Sequence, residues 1–489
     1  MVKLNLSSVR GLNATVSTPR YARSALTPGI VHFGVGNFHR AHLAVYLDDL
    51  FNMGLNQDWA IVGAGVMPSD EVMRDKLAAQ DYLTTVVEQE ASLSQARVTG
   101  AMMDFIPPSD RARLIDTLMS PAIRIVSLTV TEGGYMIDPA TGKFDPQHPA
   151  LQRDAKNPDN PTSVFGLILL GLRKRREKGV APYTVMSCDN VPHNGVVTRN
   201  AVAGLARLMD PALADWVTQH VAFPNAMVDR ITPATTDRER ALASSQFGIE
   251  DNWPVFCEEF KQWVIEDHFP TGRPAFEKVG AQFVDDVTPF EYMKIRILNG
   301  GHAVIAYPGG LMDVHYVHEA MQHPLIHAFF EKVEQSEIIP TVPPVPNTNI
   351  QDYYKLIERR FSNPKIGDTE RRLCLDGSNR QPKFIVPVLA DNLAAGRSIE
   401  GCALESALWC KYCAGVTDSG KVIEPNDPNW DKLQGLARQA KDNPAVWLGM
   451  KDIYGDVGTH PQMQDAFARW LGLLWRDGTA ATLEAYLAH

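Results

Sequence analysis

Residues 30–47 read IVHFGVGNFHRAHLAVYL, and this pattern sets the fold expected for the first half of the chain. The apolar run 30–33 has the composition of a buried strand. Gly34-Val35-Gly36 follows as a turn, and apolar residues then recur at helical spacing over 38–51. A strand, a glycine turn and a helix in this order can bind the pyrophosphate of a dinucleotide, because glycines admit close approach and the helix start offers free N–H groups.

The glycine pattern departs from the usual G-x-G-x-x-G fingerprint, since His39 stands where the third glycine is expected. A second predicted strand, 59–63, leads to Asp70. The Asp70 carboxylate could accept hydrogen bonds from an adenosine ribose and so favour NAD over NADP, although it lies further from the glycines than the usual spacing of about 20 residues. Asp70 is also placed to cap a helix that starts at Pro68-Ser69, and the two roles can coexist.

Strand and helix signals alternate along the rest of this half. The extended segments are 83–87, 97–103, 123–130 and 183–187, and the helical ones are 110–119 and 164–178. This alternation predicts an α/β doubly wound sheet, in which ligands bind beyond the carboxyl ends of the strands. Glu132, Asn190 and Asp229 each follow an apparent strand, so each is a candidate site residue as well as an ordinary turn or cap residue.

From about residue 289 the pattern becomes mostly helical. Runs at helical spacing cover 289–306, 314–335, 351–361, 384–395, 399–414, 428–440 and 461–475. We therefore predict two domains: a Rossmann-type doubly wound domain over 1–285, followed by a mostly α-helical domain over 286–489.

The first of these helical runs contains KIRILNGGH at residues 294–302. On an α-helix, Asn299 lies roughly 140° and His302 roughly 80° from Lys294, so all three fall in one sector. A lysine can act as a general base if its pKa is lowered, an asparagine amide can donate to a developing alkoxide, and a histidine can orient a hydroxyl. Such residues more often form a solvated face. Here their neighbours are apolar, and Gly300-Gly301 indicates that another group approaches the backbone closely.

Charge and hydropathy exclude two classes of partner. The net charge of −10 argues against nucleic acid as the main partner, since phosphate binding needs a basic footprint. The longest apolar stretch, 164–172, is far too short to span a bilayer, so we expect no membrane contact. The N-terminus lacks the apolar run of a signal peptide, which makes the cytoplasm the expected location.

Cysteines and histidines give no strong metal or disulfide signal. Cys410 and Cys413 form a lone C-x-x-C in an apolar helical run, which we interpret as buried thiols rather than a redox or metal site. Two histidine pairs lack an acidic or sulfur ligand at a familiar spacing, and we expect no metal at either. These pairs are His39 with His42 and His315 with His318.

Several long motifs together resemble those of the polyol-specific long-chain dehydrogenases. In chain order they are GVGNFHRAH (34–42), TEGGY (131–135), SCDNVPHNG (187–195), FPNAMVDRITP (223–233) and the K-x4-N-x2-H pattern of 294–302. The resemblance covers roughly residues 28–485, and His39 belongs to this family's own pattern. It implies a metal-independent, NAD-dependent oxidation of D-mannitol to D-fructose, at a site formed between a Rossmann-type and a helical domain. It also favours a monomer whose partners are small polyols and ketoses.

The resemblance also assigns roles to individual residues. Lys294 matches the general base, Asn190 and Asn299 match an amide pair that stabilises the alkoxide, and His302 matches a residue that orients the substrate. Glu132 matches a carboxylate that relays the proton of the lysine to solvent. The positions that match substrate contacts are Asp229, Arg372 and Arg380. The positions that match cofactor contacts are Gly34, Val35, Gly36, Asn37, Phe38, His39, Arg40, Ala41 and Asp70.

One of these positions differs from that of a related family member, which has lysine where this chain has Arg380. Both side chains are cationic donors, but their geometry differs, so the preferred polyol could differ as well. A dehydrogenase of the same build acting on D-arabinitol, D-sorbitol or a hexuronate is therefore one alternative. The others are a lyase that uses Lys294 as a Schiff-base nucleophile and a non-catalytic NAD-binding module.

Overall fold

The computed structural model describes residues 1–137 and 143–489, and the side chain of Glu132 lies outside that description. Contacts divide the chain into two compact units, Met1–Val287 and Thr288–His489. All strands found in the described residues lie in the first unit, and the second unit is built from helices. The expected fold class, a doubly wound domain followed by a helical one, is confirmed.

The elements of the first unit alternate along the chain. The strands are β1 (Val2–Lys3), β2 (Pro28–Phe33), β3 (Ala60–Ala64), β4 (Thr84–Gln89), β5 (Ser94–Thr99), β6 (Met102–Ile106), β7 (Ile125–Leu128), β8 (Thr184–Ser187), β9 (Ala226–Asp229), β10 (Ile249–Glu250), β11 (Val255–Glu258), β12 (Gln262–Glu266) and β13 (Gln282–Val284). The α-helices are α1 (Asn37–Ala41), α2 (Leu43–Asn52), α3 (Pro68–Ala78), α4 (Arg111–Met119), α5 (Pro149–Lys156), α6 (Val164–Glu177), α7 (Asn194–Met209), α8 (Pro211–His220) and α9 (Asp237–Phe247).

A five-stranded parallel sheet forms the centre of this unit, in the order β6-β3-β2-β7-β8. Ranked by chain position, this is the 3-2-1-4-5 order of a Rossmann sheet. Helices α4, α6 and α7 cover one face, and α2 covers the other with Tyr46, Leu47 and Leu50. The strand order reverses between β2 and β7, so the crevice beyond their carboxyl ends is where such a sheet binds ligands.

The extended segment predicted over 97–103 consists of parts of two strands. The chain forms β5 and β6 there, which belong to different sheets: β5 pairs with β4, and β6 pairs with β3. The break falls at Gly100, whose N–H donates to the buried Asp48 carboxylate at 3.0 Å. Because Asp48 is distant in sequence, local patterning could not have located the corner.

The helical unit is assembled around two buried helices, α11 and α18. Its helices are α10 (Thr288–Met293), α11 (Gly301–Leu311), α12 (Val317–Gln322), α13 (Pro324–Val333), α14 (Ile350–Phe361), α15 (Glu370–Leu373), α16 (Gly377–Phe384), α17 (Val386–Ala394), α18 (Glu400–Cys413), α19 (Trp430–Ala440), α20 (Ala445–Leu448), α21 (Lys451–Tyr454) and α22 (Pro461–Ala488). Two segments, Lys294–Gly300 and Glu334–Ile338, are π-helical. Cys410 and Cys413 are buried free thiols in α18, as predicted.

A buried carboxyl group in α18 makes the stability of this unit sensitive to pH. Glu405 is fully buried, and its Oε1 accepts a hydrogen bond from Gln381 Nε2 at 2.6 Å. Burial raises the pKa of Glu405 from 4.5 to about 8. The folded state therefore holds this proton more tightly than the unfolded state, so stability is highest at low pH and falls as pH rises from about 4.5 towards 8.

We expect Glu405→Gln to reduce the loss of stability with rising pH. Glutamine keeps a side-chain oxygen that can accept from Gln381, and it cannot ionise. Urea unfolding at pH 5 and pH 8 should show a smaller difference in the free energy of unfolding than wild type. For a proton that the folded state holds and the unfolded state has released, the free energy of unfolding falls by about 1.4 kcal/mol for each unit of rising pH. Glu484→Gln, an exposed carboxylate on α22, is the control and should leave the difference unchanged. Equal pH differences in wild type and Glu405→Gln would contradict the prediction.

Candidate active site

The glycine turn after β2 is tight on one side and open on the other. Gly34 has φ +89°, and a Cβ there would lie 2.0 Å from the Thr129 carbonyl oxygen, so no larger residue fits. At Gly36 the nearest atom to a Cβ would be Gly34 O at 3.9 Å, which leaves that backbone open to approach. Helix α1 begins directly afterwards at Asn37. Glycine backbone beside a helix start at the switch point suits a dinucleotide pyrophosphate.

The side chains of α1 are engaged within the protein. Asn37 Nδ2 donates to Pro233 O and to Thr235 Oγ1, both at 2.9 Å, and its Oδ1 accepts from Arg40 Nη2 at 2.8 Å. Arg40 and Ala41 are buried. This segment can therefore contact a cofactor mainly through its backbone.

The two histidines of this segment, His39 and His42, also make their contacts within the protein. His39 stacks on His32 with ring centroids 3.5 Å apart, and His42 Nε2 lies 3.0 Å from Gln262 O. Phe38 stacks on His42 at 4.8 Å. Across the described residues, no group of three or more histidine, cysteine, aspartate or glutamate side chains is arranged to hold a metal ion.

Asp70 lies beyond the carboxyl end of β3, in the first turn of α3. Its Oδ2 accepts hydrogen bonds from the N–H groups of Val66 and Met67, both at 2.8 Å. The capping alternative is thus realised, with Asp70 reaching back from the third helical position rather than acting as the N-cap itself. A carboxylate held in this way is still half-exposed and can also accept from a ribose hydroxyl.

Asn190 is exposed in the loop after β8, and the structure ties this loop to the one after β7. The adjacent Asp189 carboxylate accepts from the N–H groups of Val130 and Thr131 at 3.0 and 2.9 Å, and from the Tyr135 hydroxyl at 2.7 Å. Glu132 begins a short 3-10 helix in the β7 loop, but its side chain lies outside the described residues. The two loops therefore form one edge of the site in this unit.

Asp229 is buried at the end of β9 and is followed by Arg230. The Arg230 guanidinium donates to Ala41 O at 2.6 Å, to Glu258 O at 3.0 Å and to Glu88 Oε1 at 2.6 Å. These bonds join the end of β9 to helix α1. Asp229 is thus the residue next to the one that ties β9 to this helix.

In the helical unit, Lys294 and Asn299 lie on one turn of the π-helix Lys294–Gly300. The α-helical angles expected for this stretch do not apply, because a π-helix bonds residue i to i+5 and so brings residues five apart closer to one face than an α-helix does. Lys294 is buried with 6% of its surface exposed. Asn299 Oδ1 is buried and has no hydrogen-bond partner among the described residues. A half-turn of the amide would present its NH2 group in the same place.

The predicted close approach to the glycine pair occurs at Gly301. A Cβ there would lie 2.7 Å from Glu334 Oε1 and 2.9 Å from the Phe330 ring, whereas at Gly300 the nearest atom is 3.4 Å away. Glu334 is fully buried, and neither carboxyl oxygen has a partner among the described residues. Burial raises the pKa of Glu334 well above its usual range, which favours the protonated form of this carboxyl group at the start of α11.

His302 follows Gly301 and is held by stacking. Its ring lies on Phe361 with centroids 4.1 Å apart, and its buried Nε2 has no partner among the described residues. Burial holds the pKa of His302 well below its usual range, and the charges of three arginines act in the same direction. Those arginines are Arg372, Arg360 and Arg380. The imidazole is therefore neutral and offers one nitrogen to a ligand hydroxyl.

Arg372 and Arg380 lie side by side. Arg372 forms an ion pair with Asp368. Arg380 Nη1 donates to the carbonyl oxygens of Leu373 at 2.9 Å and of Arg372 at 3.4 Å, so its guanidinium is braced on α15. A lysine at this position would offer a compact ammonium in place of the planar guanidinium that donates to these two carbonyl oxygens.

Sequence reasoning missed several residues that support the site. Asp189 and Asn194 both lie within the 187–195 motif. The position of Asp189 directly before the candidate Asn190 could have identified it as a supporting residue. Asn194 exchanges hydrogen bonds with the backbone of Ala226 at 2.7 and 2.9 Å, which fixes the same loop to β9. Phe361 and Arg360 stand far from any motif, and no local pattern distinguishes them.

Two family descriptions match the chain. The family described as Mannitol dehydrogenase Rossmann domain matches residues 28–278, and the one described as Mannitol dehydrogenase C-terminal domain matches residues 286–475. The chain is 62% identical to the mannitol 2-dehydrogenase of Cereibacter sphaeroides, over 98% of this chain and 100% of that protein.

Two solved structures share the fold over nearly the whole chain. One is the Pseudomonas fluorescens mannitol 2-dehydrogenase in a ternary complex with NAD and D-mannitol, with a TM-score of 0.91, 44% identity and 99% of each chain covered. The other is a D-sorbitol dehydrogenase in substrate-free form, with a TM-score of 0.90, 35% identity, and 98% of this chain and 100% of that chain covered. The chain belongs to the mannitol dehydrogenase family.

Proposed function

We propose that this protein catalyses the NAD-dependent oxidation of D-mannitol to D-fructose and the reverse reduction, without a metal ion. The observation that carries the proposal is the π-helix Lys294–Gly300, which holds buried Lys294 and Asn299 three residues before the neutral His302. A base, an amide and a hydroxyl-orienting group are what alcohol oxidation by a lysine base requires. The relative of 62% identity is a mannitol 2-dehydrogenase, and the structure of 44% identity contains NAD and D-mannitol, which supports the choice of substrate and cofactor.

We assign cofactor binding to the domain 1–285 and most catalytic groups to the domain 286–489. The turn Gly34–Gly36 and the start of α1 would hold the pyrophosphate, and Asp70 would accept from the adenosine ribose. When bound, NAD takes up the hydride that leaves the substrate carbon. The open backbone at Gly36 and the half-exposed Asp70 carboxylate fit this assignment.

The protein groups handle the proton and the developing charge. Lys294, as the neutral amine, accepts the proton of the substrate hydroxyl. The amides of Asn190 and Asn299 donate hydrogen bonds to the forming alkoxide. Glu132 passes the proton from Lys294 to solvent. In the reverse direction the lysine ammonium protonates the ketose oxygen.

The remaining groups orient the polyol chain. His302 holds a neighbouring hydroxyl through the nitrogen that has no protein partner in the described residues. Asp229, Arg372 and Arg380 bind the more distant hydroxyls. The bond of Arg380 to the Leu373 carbonyl would hold its guanidinium beside Arg372 when the polyol binds.

The test of this function is NADH oxidation by the purified protein with D-fructose, with and without EDTA, beside D-xylulose, L-sorbose and fructuronate. We expect fructose to be reduced fastest and EDTA to have no effect. Faster turnover of another ketose would reassign the substrate and leave the lysine mechanism in place. Loss of activity in EDTA would overturn the metal-independent mechanism.

A related polyol dehydrogenase is the second candidate, because a D-sorbitol dehydrogenase shares the fold at 35% identity. The oxidation direction separates the two. We expect D-mannitol to be oxidised with a higher kcat/KM than D-sorbitol or D-arabinitol. The reverse order would favour the second candidate.

We predict that Asp70→Ala weakens NADH binding and relaxes discrimination against NADPH, since the carboxylate repels a 2′-phosphate. Asp70→Asn is the matched variant. It keeps an oxygen for the N–H groups of Val66 and Met67 but removes the charge, so it should relax discrimination with a smaller loss of stability. The test is the ratio of the dissociation constants for NADPH and NADH, measured by nicotinamide fluorescence in wild type and both variants. Unchanged selectivity in both variants would refute the assignment.

We also expect a monomer that works in the cytoplasm. None of the helices in 1–137 and 143–489 combines the length and apolar content needed to cross a membrane. Light scattering on the purified protein measures the mass directly, and a dimer would contradict the monomer assignment.

A further inference from the structure

A hydrogen-bonded chain of two buried residues and one partly buried residue lies beside the glycine turn, and nothing in the proposed reaction uses it. Ser127 on β7, His32 on β2 and Thr129 just after β7 are its members. Ser127 Oγ lies 2.8 Å from His32 Nδ1, and His32 Nε2 lies 3.0 Å from Thr129 Oγ1 and 3.2 Å from Gly34 O. Thr129 Oγ1 donates to Gly34 O at 2.7 Å.

The Gly34 carbonyl oxygen determines which ring nitrogen of His32 carries the proton. Gly34 O can only accept, and the single hydroxyl proton of Thr129 is already given to it. His32 Nε2 must therefore carry the imidazole proton and donate it. His32 Nδ1 is then an acceptor, so Ser127 donates to it. Burial lowers the pKa of His32 to about 3, which keeps the ring in this neutral form throughout the physiological range.

The chain fixes the orientation of one peptide plane. Gly34 O accepts from Thr129, from His32 and from the N–H of Gly36 at 2.8 Å. In a trans peptide the C=O and the following N–H point in opposite directions. Holding the Gly34 carbonyl against Thr129 therefore turns the N–H of Val35 to the opposite side of the turn.

We propose that Thr129 and His32 are positioning residues for the cofactor: by fixing the Gly34 carbonyl they aim the Val35 N–H at the pyrophosphate. The stacked His39 ring supports His32 from the other face, at 3.5 Å. This gives the histidine at the third-glycine position a role that needs no contact with the cofactor. The inference rests on the proposed NAD-dependent function.

Thr129→Val and Thr129→Ser are the matched pair that tests it. Valine keeps the shape of threonine but removes the hydroxyl, whereas serine keeps the hydroxyl. We expect the NADH dissociation constant, from fluorescence titration, to rise about tenfold in Thr129→Val and to stay near the wild-type value in Thr129→Ser. The melting temperature and kcat at saturating NADH should change little in either variant. Ser127→Ala should cause a smaller rise, because His32 can keep its Nε2 proton without the serine.

Each result has a definite consequence. An unchanged dissociation constant in Thr129→Val, or an equal loss in Thr129→Ser, would overturn the positioning role. A fall in melting temperature and kcat with unchanged NADH affinity would show a structural role only and would also overturn it. Wild-type protein that binds no NADH would overturn the proposed function itself and this inference with it, a pattern distinct from the other two.

Discussion

Replacing Lys294 with alanine should lower kcat for ketose reduction by about 10²–10⁴-fold while NADH affinity stays within about twofold of wild type. The lysine is buried on a π-helical turn in the second unit, whereas the predicted cofactor residues lie in the first. Removing the amine takes away the proton donor for the ketose oxygen and leaves the groups assigned to NADH untouched. Stopped-flow measurement of NADH consumption, with separate fluorescence titration of NADH, resolves the two quantities.

Lys294→Met is the stricter variant, because it keeps most of the buried volume and so limits any cavity effect. Lys332→Met is the control: Lys332 is a half-buried lysine of the same unit whose Nζ donates to Tyr486 O at 3.1 Å, and it has no proposed role. Added methylamine should restore part of the lost turnover in Lys294→Ala. Near-normal turnover in Lys294→Met would refute the role of the lysine.

The pH dependence of kcat also tests whether Lys294 is the general base. For mannitol oxidation, wild-type kcat should rise with pH, because the reaction needs the lysine without its proton. His302 should not add a second step, since burial and the nearby arginines hold its pKa well below its usual range. In Lys294→Met the rise should disappear. A rise that persists in this variant would assign the titration to another group.

Local patterns predicted the parts of the fold that local chemistry controls. The run 30–47 predicted a strand, a turn and a helix, and the structure has β2, the Gly34–Gly36 turn and then α1 and α2. The expected helix over 38–51 is interrupted at His42, whose backbone is not helical. The expected helix over 314–335 is likewise divided, and Pro324 starts its second part. Such breaks depend on backbone geometry that periodicity does not record.

Less of the candidate site than of the fold could be predicted from the sequence. The residue types of 294–302 indicated its chemistry, but its π-helical form could not be predicted, because a seven-residue π-helix between two α-helices is too short to leave its own periodicity. Gly301 gave a correct signal of close approach, yet nothing in the local sequence identified Glu334 as the group that approaches. His39 stood in a cofactor motif, and only the fold revealed that its ring stacks on His32. Long-range partners account for each of these gaps.

Asn299→Ala should lower kcat by about 10²–10³-fold, with a much smaller change in the KM for fructose. The amide would act on charge that develops only in the transition state, so its loss raises the barrier more than it weakens ground-state binding. Asn299→Leu keeps the volume and should lose as much. Asn299→Asp should lose more than either, because a carboxylate near the forming alkoxide adds repulsion to the loss of the donor.

Asn190 is the second residue proposed to donate a hydrogen bond to the alkoxide. If the amides of Asn190 and Asn299 donate to the same oxygen, Asn190→Ala should show a loss of similar size. The double variant should then lose less than the product of the two single losses, because groups that act as a unit are not additive. Losses that multiply would mean that the two amides act on separate atoms. A change confined to KM would make Asn299 a binding residue for the polyol, since only an interaction made in the transition state lowers kcat.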